Sequence, residues 1–173
     1  MAARLIPVIE TGRLTLRGPR REDFAPYAAF WASARSLHED GPRDARAAWE
    51  DFAAAFGLWL IEGYGCWSVE DRTTGAFCGI VGMNRPVHFD EPEIGWTLVP
   101  EAEGKGIAFE AAMAARDWVY ANTALTTMVS YIGPANIRSI RLAERMGAWR
   151  DASVAGPDAG DVVMRHPGPG GRA

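Results

Sequence analysis

Two glycines flank the chain's single lysine, Gly104-Lys105-Gly106, and they carry the clearest chemistry in the sequence. Glycine lets a backbone come close to an anion. The residues after it place Ala108, Ala111, Ala112, Ala115, Trp118 and Val119 at the spacing of one helical face. A helix starting there offers unpaired N–H groups and the positive end of its dipole, a site for a phosphate or pyrophosphate. Two nucleotide patterns fail on the residues. A P-loop needs Gly-x-x-x-x-Gly-Lys-Ser/Thr, but Gly106 follows Lys105; a dinucleotide fingerprint needs a small residue three after Gly106, where Phe109 stands. A phosphate binder of a third kind is left.

A strand must deliver the chain to that loop. Glu93 to Val99 alternates, with Ile94, Trp96 and Leu98 on one face and Glu93, Gly95, Thr97 and Val99 on the other, and Pro100 ends it. Upstream, Ile9 to Arg17 reads as the first strand, Glu22 to Ala34 as an amphipathic helix, and Asp44 to Phe56 as a second helix after the Gly41-Pro42 break. The aromatics Phe30, Trp31, Trp49, Phe56 and Trp59 are assigned to the core rather than to a binding site. Trp67–Glu70 and Ala76–Met83 flank a turn-rich link and form a hairpin. Downstream, Thr126 to Ile132 is a β-branched strand, and Asn136 caps a helix that runs to Met146 and stops at Gly147. Trp149–Val154 and Asp161–Arg165 make a last hairpin, and the Gly/Pro-rich tail, 167–173, is predicted to be disordered beyond one domain over 1–166.

The run Glu93-Ile94-Gly95-Trp96, Leu98-Val99-Pro100, Gly104-Lys105-Gly106-Ile107-Ala108-x-Glu110-Ala111 resembles the acyl-CoA-binding motif of the GNAT N-acetyltransferases, closest to the ribosomal-protein-alanine N-acetyltransferase branch. Glu101 stands where the family has Gln or Arg. Asn136-x-x-Ser139-x-x-Leu142-Ala143-Glu144-Arg145-Met146-Gly147 resembles the family's second motif at the expected distance. The resemblance implies the GNAT fold, an α/β (α+β) domain with a mixed, mostly antiparallel, splayed sheet of about seven strands flanked by about four helices. It also implies acetyl-CoA as acyl donor, held by Leu98, Val99, Gly104, Lys105, Gly106, Ala108 and Asn136, with the first two helices walling the acceptor cleft.

Acyl transfer to an amine needs the amine neutral: a free α-amine has pKa about 7.7 to 8.0 and a lysine side chain about 10.4. Glu93 is the leading candidate base, with Asp90 and Glu91 as neighbours; the three could equally form an acidic rim that attracts a cation. Backbone N–H near Val99 would stabilise the developing oxyanion. The tyrosine that many family members place seven residues after the motif asparagine is Ala143 here; Ser139 instead resembles the serine that the ribosomal-protein branch offers to the thiol sulfur. The expectation is an acetyl-CoA-dependent N-acetyltransferase, direct from thioester to a primary amine of a small molecule or protein N-terminus, in a ternary complex. The alternative is a non-catalytic acyl-CoA-binding module.

Composition limits the partners. Net charge −4 and pI near 5.4 argue against nucleic acid or an anionic membrane as main partner. No apolar run approaches the roughly 20 residues of a membrane span, and nothing marks export, so a cytoplasmic location is expected. Two cysteines, Cys66 and Cys78, are expected as buried thiols, and the histidines His38, His88 and His166 lack metal-ligand spacing, so no metal is implied. Monomer and homodimer are both compatible with the sequence.

Overall fold

The computed structural model describes residues 5–39 and 41–171. One eight-stranded sheet in the order β1-β2-β3-β4-β5-β6-β8-β7 carries helices on both faces. The strands are β1 (Ile9–Glu10), β2 (Leu14–Arg17), β3 (Cys66–Asp71), β4 (Phe77–Asn84), β5 (Glu93–Leu98), β6 (Val129–Ile132), β7 (Trp149–Arg150) and β8 (Val162–Arg165). The helices are α1 (Phe24–Trp31), α2 (Ala45–Ile61), α3 (Ile107–Asn122) and α4 (Ile137–Arg145). Neighbouring strands are antiparallel except β5 and β6, which are parallel. This is the expected GNAT-type architecture with one strand more than anticipated. The stretch from Ile9 to Arg17 is not one strand but a hairpin: Thr11 N–H donates to Leu14 O at 2.9 Å and the Thr11 hydroxyl accepts from Leu14 N–H at 3.0 Å, turning the chain back on itself.

Alternation decides which helix each strand residue meets. Trp67 and Val69 of β3, Val81 and Met83 of β4 and Ile94 of β5 pack against Ala111, Ala112, Ala115 and Val119 of α3. The alanines let that helix lie close to the sheet. Cys66 and Ile80 project to the other face, against Tyr27, Phe30 and Trp31 of α1 and Phe52 and Phe56 of α2. Helix α2 runs five residues beyond the expected end because Trp59 is buried edge-on between Trp67 (4.7 Å) and Trp118 (5.4 Å). Arg17 of β2 fastens this half: its guanidinium donates to both oxygens of Asp23 at 2.8 and 2.9 Å and to Glu70 at 2.7 Å, while Ser68 Oγ donates to Asp23 at 2.8 Å. Both cysteines are buried free thiols. Among the described residues no helix is long and apolar enough to cross a membrane. Of the tail, residues 172 and 173 lie outside the described residues; Gly171 N–H donates to Gly168 O at 2.9 Å.

Candidate active site

The sheet forks between its two parallel strands. Glu93 pairs with Val129 at the base, and no other β5–β6 register pair occurs among the described residues. Beyond it, side chains take over from backbone. Ser130 Oγ donates to Ile94 O at 2.6 Å, Tyr131 N–H donates to Glu93 Oε1 at 3.2 Å, and farther along Trp96 Nε1 donates to Ser139 Oγ on α4 at 3.2 Å. His166 stands 3.0 Å from Ser130 Oγ through Nε2. Because the Ser130 hydrogen goes to Ile94 O, the imidazole must be the donor, consistent with burial holding His166 neutral, its pKa down to about 3.

The fork leaves one strand edge open. Val99 N–H donates to Cys78 O at 3.0 Å, whereas Ile94 O receives Ser130 across the fork. Along an antiparallel pair alternate residues turn their peptide groups toward the partner. The odd-numbered residues of this stretch therefore address β4, while Trp96 and Leu98 turn N–H and C=O into the gap. This corrects the expectation for Val99: its N–H is already committed to β4, and Leu98 is the neighbour that can donate to a bound group.

Two cavities open on opposite sides of the fork. One, of about 670 Å³, is walled by α1, α2 and the loop before β5; the other, of about 630 Å³, by the glycine loop, the start of α3 and α4. They share His38, Glu39, Trp96, Asn136 and Ser139, so they meet beside the Trp96–Ser139 contact. Of the residues singled out in the sequence, Leu98, Gly104, Gly106, Ala108 and Asn136 line the second cavity, Glu93 lines the first, and Ser139 stands at the junction. Gly104 and Gly106 take φ of +71° and +76°, which a side chain resists, and the helix begins at once with Ile107. Asn136 caps α4, its Oδ1 accepting from Ser139 N–H at 3.2 Å. Lys105 is exposed and does not line the cavity; its carbonyl accepts from Arg13 at 2.9 Å. The cations that do line it are Arg35, Arg138, Arg141 and Arg145. Glu103 joins Arg35 to Arg138, the latter at 2.6 Å, and Arg145 lies 4.6 Å over the Phe109 ring. The spacing of Arg138, Arg141 and Arg145 along one helix face was a readable signal for this cluster.

The acids divide differently from the sequence expectation. Glu91 is held by Arg165 through two bonds of 2.7 and 2.8 Å, and Asp90 is absent from the cavity lining. Only Glu93 of the three faces the first cavity. Its company there is Glu39, Asp51, Asp158 and Asp161, from elements distant in sequence. Glu93 Oε1 accepts Tyr131 N–H and Oε2 accepts Asn84 Nδ2 at 3.4 Å; desolvation outweighs both and raises its pKa to about 7. Glu39, which sequence reasoning passed over, is likewise raised to about 7 by desolvation, against a 2.7 Å bond from the Thr97 hydroxyl. Trp31 is buried yet lines the same cavity, so the core assignment holds for it only in part; Trp49 is 42% exposed.

Residues 13–148 match the acetyltransferase (GNAT) domain family. A solved acetyltransferase from Agrobacterium tumefaciens str. C58 is 39% identical, with a TM-score of 0.89 over 93% of this chain and 94% of that one. A spermidine N-acetyltransferase from Vibrio cholerae, solved with CoA and spermine, shares the fold at 18% identity, with a TM-score of 0.69 over 90% of this chain and 94% of that one. The Bacillus subtilis (strain 168) protein YkkB is 38% identical over 94 residues, 50% of this chain and 52% of that protein. The chain thus matches about half the length of that curated relative.

Proposed function

This chain belongs to the GNAT acetyltransferase family, and we propose that it transfers an acetyl group from acetyl-CoA to a primary amine within a ternary complex. The observation that carries this reading is the forked sheet, with an anion loop in one cavity, a carboxyl of raised pKa in the other, and Ser139 where the two meet.

The donor side fits a pantetheine arm ending in phosphates. The peptide groups of Trp96 and Leu98 present an open strand edge to an extended chain. The N–H groups of Gly104, Lys105, Gly106 and Ala108, at the positive end of α3, suit a pyrophosphate, and Arg138, Arg141 and Arg145 add positive charge. Asn136 would contact the arm from the opposite wall while capping α4. When bound, acetyl-CoA supplies the activated acyl group.

The acceptor side has the chemistry for an amine. Glu93, ionising at about 7, is matched to taking a proton from an ammonium at neutral pH. Leu98 N–H is the donor for the developing oxyanion. Ser139 Oγ receives its hydrogen bond from Trp96, and its own hydrogen has no acceptor among the described residues, so the hydroxyl can donate to the departing sulfur. The acidic, aromatic lining favours a cationic acceptor, either a small amine or a protein N-terminus.

Calorimetric titration of acetyl-CoA into the wild type and into Gly106→Glu tests the donor site. Micromolar binding that disappears in the still-folded variant, followed by acetylation of an amine in a broad panel, is the expected result. No binding by the wild type refutes the reading; binding without turnover on any amine leaves a non-catalytic acyl-CoA-binding module.

A further inference from the structure

Glu39 belongs to the segment between α1 and α2, distant in sequence from both family motifs, yet it is one of the few residues that line both cavities. Its surroundings are unusual for a shielded carboxylate. Thr97 Oγ1 donates to Oε2 at 2.7 Å, and Oε1 has no hydrogen-bond donor among the described residues. The two guanidinium groups that act on it are committed elsewhere. Arg43, two residues before α2, pairs with Asp51 at 3.0 Å, lies 4.0 Å over the Trp31 ring and meets Glu39 only at its main-chain O, 3.5 Å away; Arg138 of α4 pairs with Glu103 at 2.6 Å. Asp51 of α2 and Glu93 of β5 face it as like charges, and His38 adjoins it in the chain. A carboxylate in this position lacks the counter-ion that ordinarily accompanies burial.

From this we infer that Glu39 is a specificity-determining residue, whose carboxylate holds the acceptor's ammonium at the junction of the two cavities. Glu93 is less suited to that role: each of its oxygens already accepts a hydrogen bond, and it reaches only the first cavity. Glu39 is instead beside Trp96, Asn136 and Ser139, at the place an attacking nitrogen must occupy. The division is then recognition by Glu39 and proton removal by Glu93, which lines the first cavity alone and takes the proton through water. A carboxylate that ionises near neutrality also gives the pocket a choice: cations are drawn in above pH 7 and favoured less below it. Thr97 acts through Glu39, since its hydroxyl favours the charged form.

The inference rests on reading the first cavity as the acceptor pocket, but its test needs no turnover. With CoA present, calorimetry compares 2-phenylethylamine, a cation suited to the aromatic walls, with neutral 2-phenylethanol of nearly the same shape. The wild type should bind the amine about tenfold or more tightly at pH 7.5. Glu39→Gln keeps a carbonyl for Thr97 and should lose that preference while binding CoA as the wild type does. In Thr97→Val, Glu39 stays protonated to higher pH, so the preference at pH 7 should fall below the wild type's and recover at pH 9, where the amine is still mostly charged. This variant decides the matter alone if Glu39→Gln does not fold. A wild type without the preference, including one that binds neither probe, overturns the inference, as does either variant whose preference at pH 7 equals the wild type's at that pH. A wild type that shows the preference yet acetylates no amine overturns only the proposed function.

Discussion

Replacing Glu93 by glutamine should weaken turnover and strengthen the fold together. The carboxyl's pKa stands at about 7 against an ordinary 4.5, because the surrounding protein removes part of its hydration. Between those pH values the folded chain binds more protons than the unfolded one, so stability falls as pH rises from about 4.5 to about 7. At about 1.36 kcal/mol for each pH unit, the full rise corresponds to about 3 kcal/mol lost by neutrality. The carboxyl is half-buried in an open cavity, and solvent reaching it trims that figure. Glutamine removes the charge but sets its amide against Asn84 Nδ2, which now donates to Oε2 across a long 3.4 Å, a loss of about 1 kcal/mol. The net gain at pH 8 is about 2 kcal/mol, or about 4–8 °C in Tm for a chain of this size. Thermal and urea unfolding of both proteins from pH 5 to 8 reads it directly: the variant should lie above the wild type at pH 8 and at or slightly below it at pH 5. Glu39 supplies its own fall with pH, so the variant's slope should be reduced rather than abolished. At pH 7.5, kcat should drop by about a hundredfold or more if this carboxylate takes the proton. Equal stability with an unchanged slope would refute the desolvation argument. Turnover within a few-fold of wild type would refute the role of base, whatever the stability shows.

In the wild type, kcat/KM for an amine should rise with pH through about 7 as the two coupled carboxyls ionise, and a pH–rate profile of Glu93→Gln should lack part of that limb. Ser139→Ala should lower kcat by about tenfold in steady-state assays with little change in acetyl-CoA affinity, since the cap from Asn136 uses the backbone N–H and survives. Arg145→Ala should weaken acetyl-CoA binding more at low ionic strength than at high, measured by calorimetry at two salt concentrations. Arg17→Ala strands the buried Asp23 without its cation, while Glu70 keeps Arg20 at 2.7 Å, and should cost about 3–5 kcal/mol in urea unfolding.

What the sequence displayed well was local. The strand from Glu93, the positive-φ glycines and the capped helix at Asn136 each depend on residues a few positions apart, and all three formed with nearly the expected bounds. Two site features depend on pairing and could not be read from one segment. Whether Val99 or Leu98 donates into the fork is a matter of which residues of β5 turn toward β4, fixed by the register Gly79↔Leu98 between strands. Periodicity gives the side-chain faces of a strand but not the direction of its peptide groups. The acids show the same limit more sharply. Asp90, Glu91 and Glu93 cluster in sequence, yet Arg165 on β8 holds Glu91 away, while Glu39 and Asp161 arrive at the cavity from loops more than fifty residues from Glu93 on either side. The fork itself ties these observations together. A sheet that stays paired would bury the Trp96 and Leu98 peptide edge and leave no junction for Ser139, so the donor site and the acceptor site are two consequences of one interrupted strand pairing. Ser130, His166 and Glu93 hold its base closed with side-chain bonds, and substitutions there should disturb both sites at once, unlike changes at the glycine loop or at Glu39, which should disturb only one.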